Sequence, residues 1–314
     1  MSGHTVFLFT DDDARYRALL ADAELPGLTV AAADSLTQAL QLAAGADLWL
    51  AEPSRAAALL PRARRLAWLQ ATYAGVEPLV AAGARRDYCL TNVRGPFGPL
   101  ASEYVFAHLL SLTRHLPLYR EQQRRRVWNH VPYRGLGGRT LLVVGTGSIG
   151  CHVAATGGHF GMRVWGVSRS GRSVAGFDRV EPVQALAAML PEADVIVSAL
   201  PSTPETRHLF DEVTLGRCHP GALFFNVGRG TAVDERALAE ALRQGRLGAA
   251  VLDVFAEEPL SEASPLWDVP NLVVTPHDAA RSFPEDVVEV FVRNYRHFVS
   301  GEPLEGRIDF ERGY

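Results

Sequence analysis

Short apolar runs alternate with helix-period segments along almost the whole chain, and this alternation limits the fold more than any other feature of the sequence. "TVFLFT" (5–10), "LTVAA" (28–32), "DLWLA" (47–51), "LAWLQAT" (66–72) and "YCLTNV" (88–93) read as strands. Between them apolar residues recur at helical spacing, as in "SLTQALQLAAGA", where Ser35 is set to cap the first turn. Nearly continuous apolar strands separated by such helices belong in a parallel sheet covered on both faces.

The pattern breaks at "RGPFGP" (94–99), dense in Gly and Pro. A long helix is predicted from about Leu100 to Val127, followed by a turn-rich segment to Gly138. A second βα series then runs through "TLLVVG", "MRVWGVS", "DVIVSAL", "ALFFNVG", "GAAVLDVF" and "NLVVT", and a helix from about Pro284 to Val299 closes the chain. The expected organisation is two doubly wound α/β domains. One spans residues 98–283; the other is discontinuous, made of 1–97 and 284–314, with the last helix packing back on the first series.

Composition narrows the function. With 314 residues, 47% apolar and 21% charged, the chain has room for two globular domains. A net charge of -4 offers no basic footprint for nucleic acid, and Arg124–Arg126 reads as a solvated helix end. No apolar stretch approaches bilayer length, and "HTVFLFT" is too short for a secretory core, so no membrane role is expected. Cys89, Cys151 and Cys218 are widely separated without metal spacing, which suits reduced thiols in the cytoplasm. All 31 basic residues are arginine, which excludes Schiff-base, phosphate-loop and kinase lysine chemistry. The histidines show no metal-ligand spacing, and no metal is expected.

Chemistry-bearing residues cluster in the second series. "TLLVVGTGSIG" sets Gly145, Gly147 and Gly150 in G-x-G-x-x-G order between a strand and a helix, with Ser148 and Ile149 opening that helix. Such a turn lets backbone amides approach a pyrophosphate. The next strand ends at Ser168, 168 − 145 = 23 residues on, close to the roughly 20 residues of a dinucleotide-binding unit. An acid is expected there in an NAD site. Ser168, Arg169, Ser170 and Arg172 stand there instead, a neutral hydroxyl with guanidiniums suited to a 2′-phosphate, so NADP(H) is predicted over NAD(H). Three later strands deliver Arg229, then Asp253 and Glu258, then His277. An arginine can grip a carboxylate, a histidine can carry a proton to an alkoxide, and a glutamate can orient the imidazole.

The block from "NVGRGTAVDERALAEAL" to "NLVVTPH" resembles the signature of the D-isomer-specific 2-hydroxyacid dehydrogenase family. "ADVIVSALPSTPETRHLF", "YAGVEPL" and "ASEYVFAHLLSLTR" are similar to its other landmarks, and the resemblance covers nearly the whole chain. The serine-arginine-serine strand end and the closing "RGY" are most similar to its glyoxylate/hydroxypyruvate reductase branch, which favours NADPH. The resemblance implies a Rossmann cofactor domain, a flavodoxin-like substrate domain and a cleft between them. It implies Arg229, Glu258 and His277 as catalytic residues, with Arg229 and the amides of Gly75 and Val76 holding the substrate carboxylate. Cofactor contacts are implied for Leu200, Pro201, Thr206, Val227, Gly228, Asp253 and His277, with Asp253 near the nicotinamide carboxamide. Pro201 and Thr206 could equally belong to a helix cap. A homodimer through the cofactor domain is implied, with the helix from Leu100 in the contact. Asp278 departs from the family pattern: it points to solvent, or it adds negative charge beside the imidazole. The expected reaction is reduction of a small anionic 2-keto acid to the D-2-hydroxy acid and its reverse. Alternatives are phosphite or phosphoglycerate as substrate, or a non-catalytic dinucleotide sensor of the corepressor kind.

Overall fold

The computed structural model describes residues 3–313; Tyr314, in the closing "RGY", lies outside them. In chain order the principal elements are β1 (His4–Phe9), α1 (Asp13–Asp22), β2 (Leu28–Ala32), α2 (Leu36–Gly45), β3 (Leu48–Ala51), α3 (Pro53–Leu59), β4 (Trp68–Ala71), α4 (Glu77–Val80) and β5 (Cys89–Thr91). There follow α5 (Phe97–Thr113), α6 (Leu116–Arg124), β6 (Thr140–Val144), α7 (Ser148–His159), β7 (Arg163–Ser168), β8 (Arg179–Pro182), α8 (Leu186–Met189) and β9 (Val195–Ser198). The chain ends with α9 (Glu212–Leu215), β10 (Leu223–Asn226), α10 (Glu235–Arg243), β11 (Ala249–Leu252), β12 (Leu272–Val274) and α11 (Pro284–Ser300).

Contacts divide the chain into two compact units. One runs to Pro96 and resumes at Ser282; the other is Phe97–Arg281. In the first, five parallel strands lie in the order β2-β1-β3-β4-β5, the flavodoxin-like order. Strands β3 and β4 are buried throughout, which is why their sequences are continuous apolar runs. Helix α11 belongs to this unit: the Phe291 ring stacks on Trp68 at 5.0 Å between centroids, and Asn294 Nδ2 donates to Gln70 Oε1 at 3.0 Å. That Gln70 oxygen also accepts from Thr91 Oγ1, which in turn accepts from Trp68 Nε1, so the buried polar groups of β4, β5 and α11 satisfy one another. Ser35 caps α2 by accepting from the Gln38 amide at 3.2 Å.

The second unit holds seven parallel strands in the order β12-β11-β10-β9-β6-β7-β8. The chain starts at β6, winds outward through β7 and β8, then returns to β9 on the other side. The strand order therefore reverses between β6 and β9, the switch point outside which ligands bind in open α/β sheets. Leu142, Val144, Ile196, Phe210 and Phe224 fill one face of this sheet, and Val143, Val197, Phe225 and Val251 fill the other.

Two elements differ from the sequence-based expectation. The long helix breaks after Thr113, where His115 takes a left-handed φ of 56°, and α6 restarts with Pro117 in its first turn. A continuous helix would press the Pro117 ring against the Thr113 carbonyl, so the chain must turn there. Strand β8 escaped the pattern because "RVEP" has a single aliphatic residue before its proline and sits at the sheet edge, where proline is tolerated. Among the described residues no helix is long and apolar enough to cross a membrane, and no group of three or more His, Cys, Asp or Glu could hold a metal.

Candidate active site

Because every strand of the seven-stranded sheet runs the same way, the loops after β6, β7, β9, β10, β11 and β12 all open at its carboxyl edge. The turn after β6 is built by glycine. Gly145 has φ 107°, and a Cβ on Gly150 would lie 2.0 Å from the Gly145 carbonyl oxygen, so α7 can start this close to the strand only with glycine there. Above Gly147 a Cβ would meet nothing within 4 Å, and Gly147 caps α7 without a side-chain hydrogen bond. Gly147 and Ser148 are exposed and Ile149 half-buried, which leaves first-turn amides open toward solvent. Unpartnered amides at the positive end of a helix fit the pyrophosphate of a dinucleotide.

At the end of β7 the hydroxyls shape the turn: Ser168 Oγ accepts from the Gly171 amide at 3.1 Å and Ser170 Oγ from the Arg172 amide at 3.4 Å. Arg169, Ser170 and Arg172 are exposed there, with no acid among them. Glu205, fully exposed after β9, is held below the usual carboxylate range by its own amide, the Thr203 side chain and the Arg169 charge. The segment from Leu200 to Thr206 forms turns and no helix, and Thr206 Oγ1 ties it together by donating to the Pro201 carbonyl at 2.7 Å and accepting from the Thr203 amide at 2.9 Å. Pro201 and Thr206 are thus parts of a self-stapled loop.

The Arg229 loop is fixed by its neighbours in sequence. A Cβ on Gly228 would come within 2.4 Å of the Leu200 nitrogen, and one on Gly230 within 1.9 Å of the Phe255 carbonyl carbon. The two glycines therefore seat Arg229 between the loops that follow β9 and β11. From below, the buried Asn226 amide holds both ends of the turn: its Oδ1 accepts from the Gly228 amide at 3.2 Å, and its Nδ2 donates to the Arg229 carbonyl at 3.0 Å. Arg229 Nη1 itself donates to the Gly228 carbonyl at 2.9 Å, and Val227 is buried beneath.

His277 stands in the loop after β12 with φ 54°, a left-handed conformation that costs a non-glycine residue and persists only when its surroundings impose it. Asp253, 1% exposed, imposes it. The Asp253 carbonyl accepts from the His277 amide at 2.9 Å, one carboxylate oxygen accepts from the Asp278 amide and the Thr275 hydroxyl, and the other accepts from the Ala279 amide. This carboxylate, expected near the carboxamide of the cofactor, has three donors from the histidine loop. His277 Nδ1 meets Glu258 Oε2 at 2.7 Å, and Glu258 Oε1 accepts from the Phe255 amide at 2.9 Å. The His277 and Glu258 side chains are 50% and 34% exposed, so the pair is reachable. Asp278 is directed outward to Arg281 at 3.7 Å, both well exposed, which favours the solvent reading of that residue.

Gly75 and Val76 lie in the other unit, in the turn after β4. Val76 is buried and its carbonyl accepts from the Leu79 amide at 2.8 Å as α4 begins; the Asn92 side-chain Nδ2 donates to the Ala74 carbonyl just before them. Asn226 and Thr275 were not singled out in the sequence. Their signal was a polar residue at, or just past, the end of an apolar strand, the same signal that marked Asp253.

Residues 106–279 match the family "D-isomer specific 2-hydroxyacid dehydrogenase, NAD binding domain". A crystal structure of a D-isomer specific 2-hydroxyacid dehydrogenase family protein from Aeromonas salmonicida is 58% identical, with 98% of this chain and 100% of that one covered and a TM-score of 0.93. An NADPH-dependent glyoxylate/hydroxypyruvate reductase from Sinorhizobium meliloti, solved with NADP and sulfate, is 30% identical over 99% of this chain and 100% of its own, with a TM-score of 0.89. A D-isomer specific 2-hydroxyacid dehydrogenase from Xanthobacter autotrophicus, solved with NADPH and MES, is 32% identical over 100% of both chains, again with a TM-score of 0.89. With an NAD-binding domain, an open glycine turn and a reachable histidine–glutamate pair, the chain belongs to the D-isomer specific 2-hydroxyacid dehydrogenase family of oxidoreductases.

Proposed function

We propose that this protein reduces a small 2-keto acid of the glyoxylate or hydroxypyruvate type to its D-2-hydroxy acid with NADPH, and catalyses the reverse oxidation. The observation that carries the reading is the 2.7 Å contact between His277 Nδ1 and Glu258, on loops adjoining Arg229 at the edge of the NAD-binding sheet. When bound, the nicotinamide supplies the hydride for reduction or takes it in the reverse direction. His277 Nδ1 is engaged by the carboxylate, so Nε2 is the nitrogen that gives a proton to the carbonyl oxygen, or removes it from the hydroxyl. Glu258 fixes the ring through its contact with Nδ1. The Arg229 guanidinium holds the substrate carboxylate and orients the ketone before transfer. Gly145, Gly147, Ser148, Ile149 and Gly150 hold the pyrophosphate.

NADPH preference is supported by the strand end at Ser168. Arg169 and Arg172 can pair with a 2′-phosphate, and no acid is there to repel it. The Sinorhizobium and Xanthobacter relatives, bound to NADP and NADPH, agree. A homodimer through the cofactor unit is supported by Leu116, Leu118, Val127, Trp128 and Tyr133, large apolar side chains all at least 43% exposed. Three free cysteines suit a reducing cytoplasm.

The test is oxidation of NADPH and, separately, NADH against glyoxylate, hydroxypyruvate and longer 2-keto acids, with His277→Ala beside the wild type. Sedimentation of the same preparation reads the dimer, and a monomer at micromolar concentration rejects it. Turnover with NADPH that collapses in the variant is expected. NADH preference would remove the account of Arg169 and Arg172; tight cofactor binding without turnover would favour the non-catalytic sensor.

A further inference from the structure

We infer that Tyr104, on α5, is a positioning residue for proton transfer at His277, acting through Thr275 and Asp253. This rests on the reading of His277 as the proton carrier. Tyr104 Oη lies 2.5 Å from Thr275 Oγ1, and Thr275 Oγ1 lies 2.7 Å from Asp253 Oδ1. An ionised carboxylate only accepts, so Thr275 must donate to Asp253, and its oxygen is then left to accept from the Tyr104 hydroxyl. The three groups form one directed chain from a helix to the base of the catalytic loop.

That chain ends on the residue that holds His277 in its left-handed conformation. The Asp253 oxygen reached by Thr275 is the one that also accepts from the Asp278 amide, directly after His277. Thr275 is itself two residues before His277, and its amide donates to the Leu252 carbonyl at 3.0 Å. Tyr104 is therefore coupled to both sides of the histidine. Its own place is fixed: it shares a helix face with His108, ring centroids 4.6 Å apart, on an element packed against α7. Burial pushes the Tyr104 hydroxyl up to about 12, so it stays a donor through the working range of such an enzyme. His108 faces the same carboxylate; burial lowers its pKa, and the Asp253 charge opposes this.

Removing the hydroxyl leaves the ring in place but frees the Thr275 hydroxyl to rotate away from Asp253. The loop then loses one of its constraints, and the histidine spends less time in the reactive orientation. The chain runs through Tyr104, Thr275 and Asp253 and includes no residue of the glycine turn, so the hold on the pyrophosphate has no reason to change.

The experiment uses the full-length protein with NADPH and glyoxylate, and compares wild type, Tyr104→Phe, Thr275→Val, the double variant and His277→Ala. Tyr104→Phe is expected to lower kcat roughly threefold to tenfold, the scale of one hydrogen bond, with the Kd for NADPH unchanged and the melting temperature lowered by no more than about 4 °C. The double variant is expected to be no slower than Thr275→Val alone, because both remove the same chain. The inference is overturned if Tyr104→Phe keeps its kcat within twofold, or if the two substitutions multiply. It also falls if Tyr104→Phe loses NADPH affinity and thermal stability together with kcat, because the hydroxyl is then merely structural. Full turnover in His277→Ala would instead overturn the underlying reading of the histidine, an outcome separate from these.

Discussion

Replacing Glu258 by glutamine tests the core of the proposed chemistry with almost no change in shape. The carboxylate serves two partners: Oε2 meets His277 Nδ1 at 2.7 Å and Oε1 accepts from the Phe255 amide at 2.9 Å. The Phe255 amide can only donate, and Nδ1 must donate if Nε2 is to act on the substrate. A carboxylate satisfies both, whereas glutamine has one acceptor oxygen for two donors. If that oxygen stays with Phe255, the new amide group faces Nδ1 and favours the tautomer protonated at Nε2, which cannot take a proton. If it turns to the imidazole, the Phe255 amide is left facing a donor. A hydrogen bond to a charged group contributes about 1.5–3 kcal/mol, a factor of roughly ten to a hundred in rate. Because the two side chains are 50% and 34% exposed, the lower part of that range applies, a loss of about tenfold to thirtyfold. The assay is steady-state reduction of glyoxylate by NADPH and oxidation of the D-2-hydroxy acid by NADP at one pH. The equilibrium constant is fixed, so kcat/KM must fall by the same factor in both directions, while NADPH binding, followed by its fluorescence, stays unchanged. Glu258→Gln within twofold of wild type, or a loss found wholly in NADPH affinity, would refute the account.

Two other predictions concern the units separately. Gly150→Ala places a methyl group 2.0 Å from the Gly145 carbonyl oxygen, a backbone atom that cannot yield without moving the turn; NADPH affinity is expected to fall at least tenfold in fluorescence titration, and wild-type affinity would contradict the pyrophosphate reading. In the first unit, burial would raise the Asp47 carboxyl, but the His4 ring at 2.5 Å and the Thr5 amide at 2.8 Å more than offset it and leave the group below its ordinary value. A depressed carboxyl adds stability above the unfolded-state value, and that stability is lost as pH falls through the folded one. Asp47→Asn should therefore cost about 1–2 kcal/mol at pH 7, with the gap in melting temperature narrowing as pH drops below about 4; a gap independent of pH would refute it.

The sequence carried the fold wherever burial made a strand apolar on both faces. The runs at 48–51, 68–71, 140–144 and 195–198 are buried at every residue, and each was visible as an apolar block. It carried β8 poorly, because an edge strand with one covered face needs few apolar residues. The break at His115 was hidden because helical periodicity continues on both sides, and only Pro117 told of it. At the site, Gly145, Gly147 and Gly150 were legible because glycine is required where a helix starts so close to its strand. Glu258 and His277 were legible as titratable groups after strands. Their support was harder to read: Tyr104 is about 170 residues before Thr275 in sequence and meets it only through packing of α5 on the sheet.

Asn226 and Asp253 show why support of this kind forms at strand ends. Each is fully or almost fully buried at the carboxyl end of a core strand, in a protein whose other buried positions are mostly apolar. Burying a carboxylate or an amide costs several kcal/mol unless its hydrogen bonds are made. At these positions they are made by the loop that follows: where a parallel strand stops, the ladder also stops, and the next amides have no partner in the sheet. Asn226 takes the Gly228 amide and gives to the Arg229 carbonyl; Asp253 takes the amides of Asp278 and Ala279. The same bonds that offset the cost of burial fix the loops that carry Arg229 and His277. An apolar residue at either position would leave the sheet intact and the loop free, so the price in desolvation is tied to the part of the fold where orientation matters. On this reasoning, conservative changes at these two buried residues act on turnover before they act on the fold.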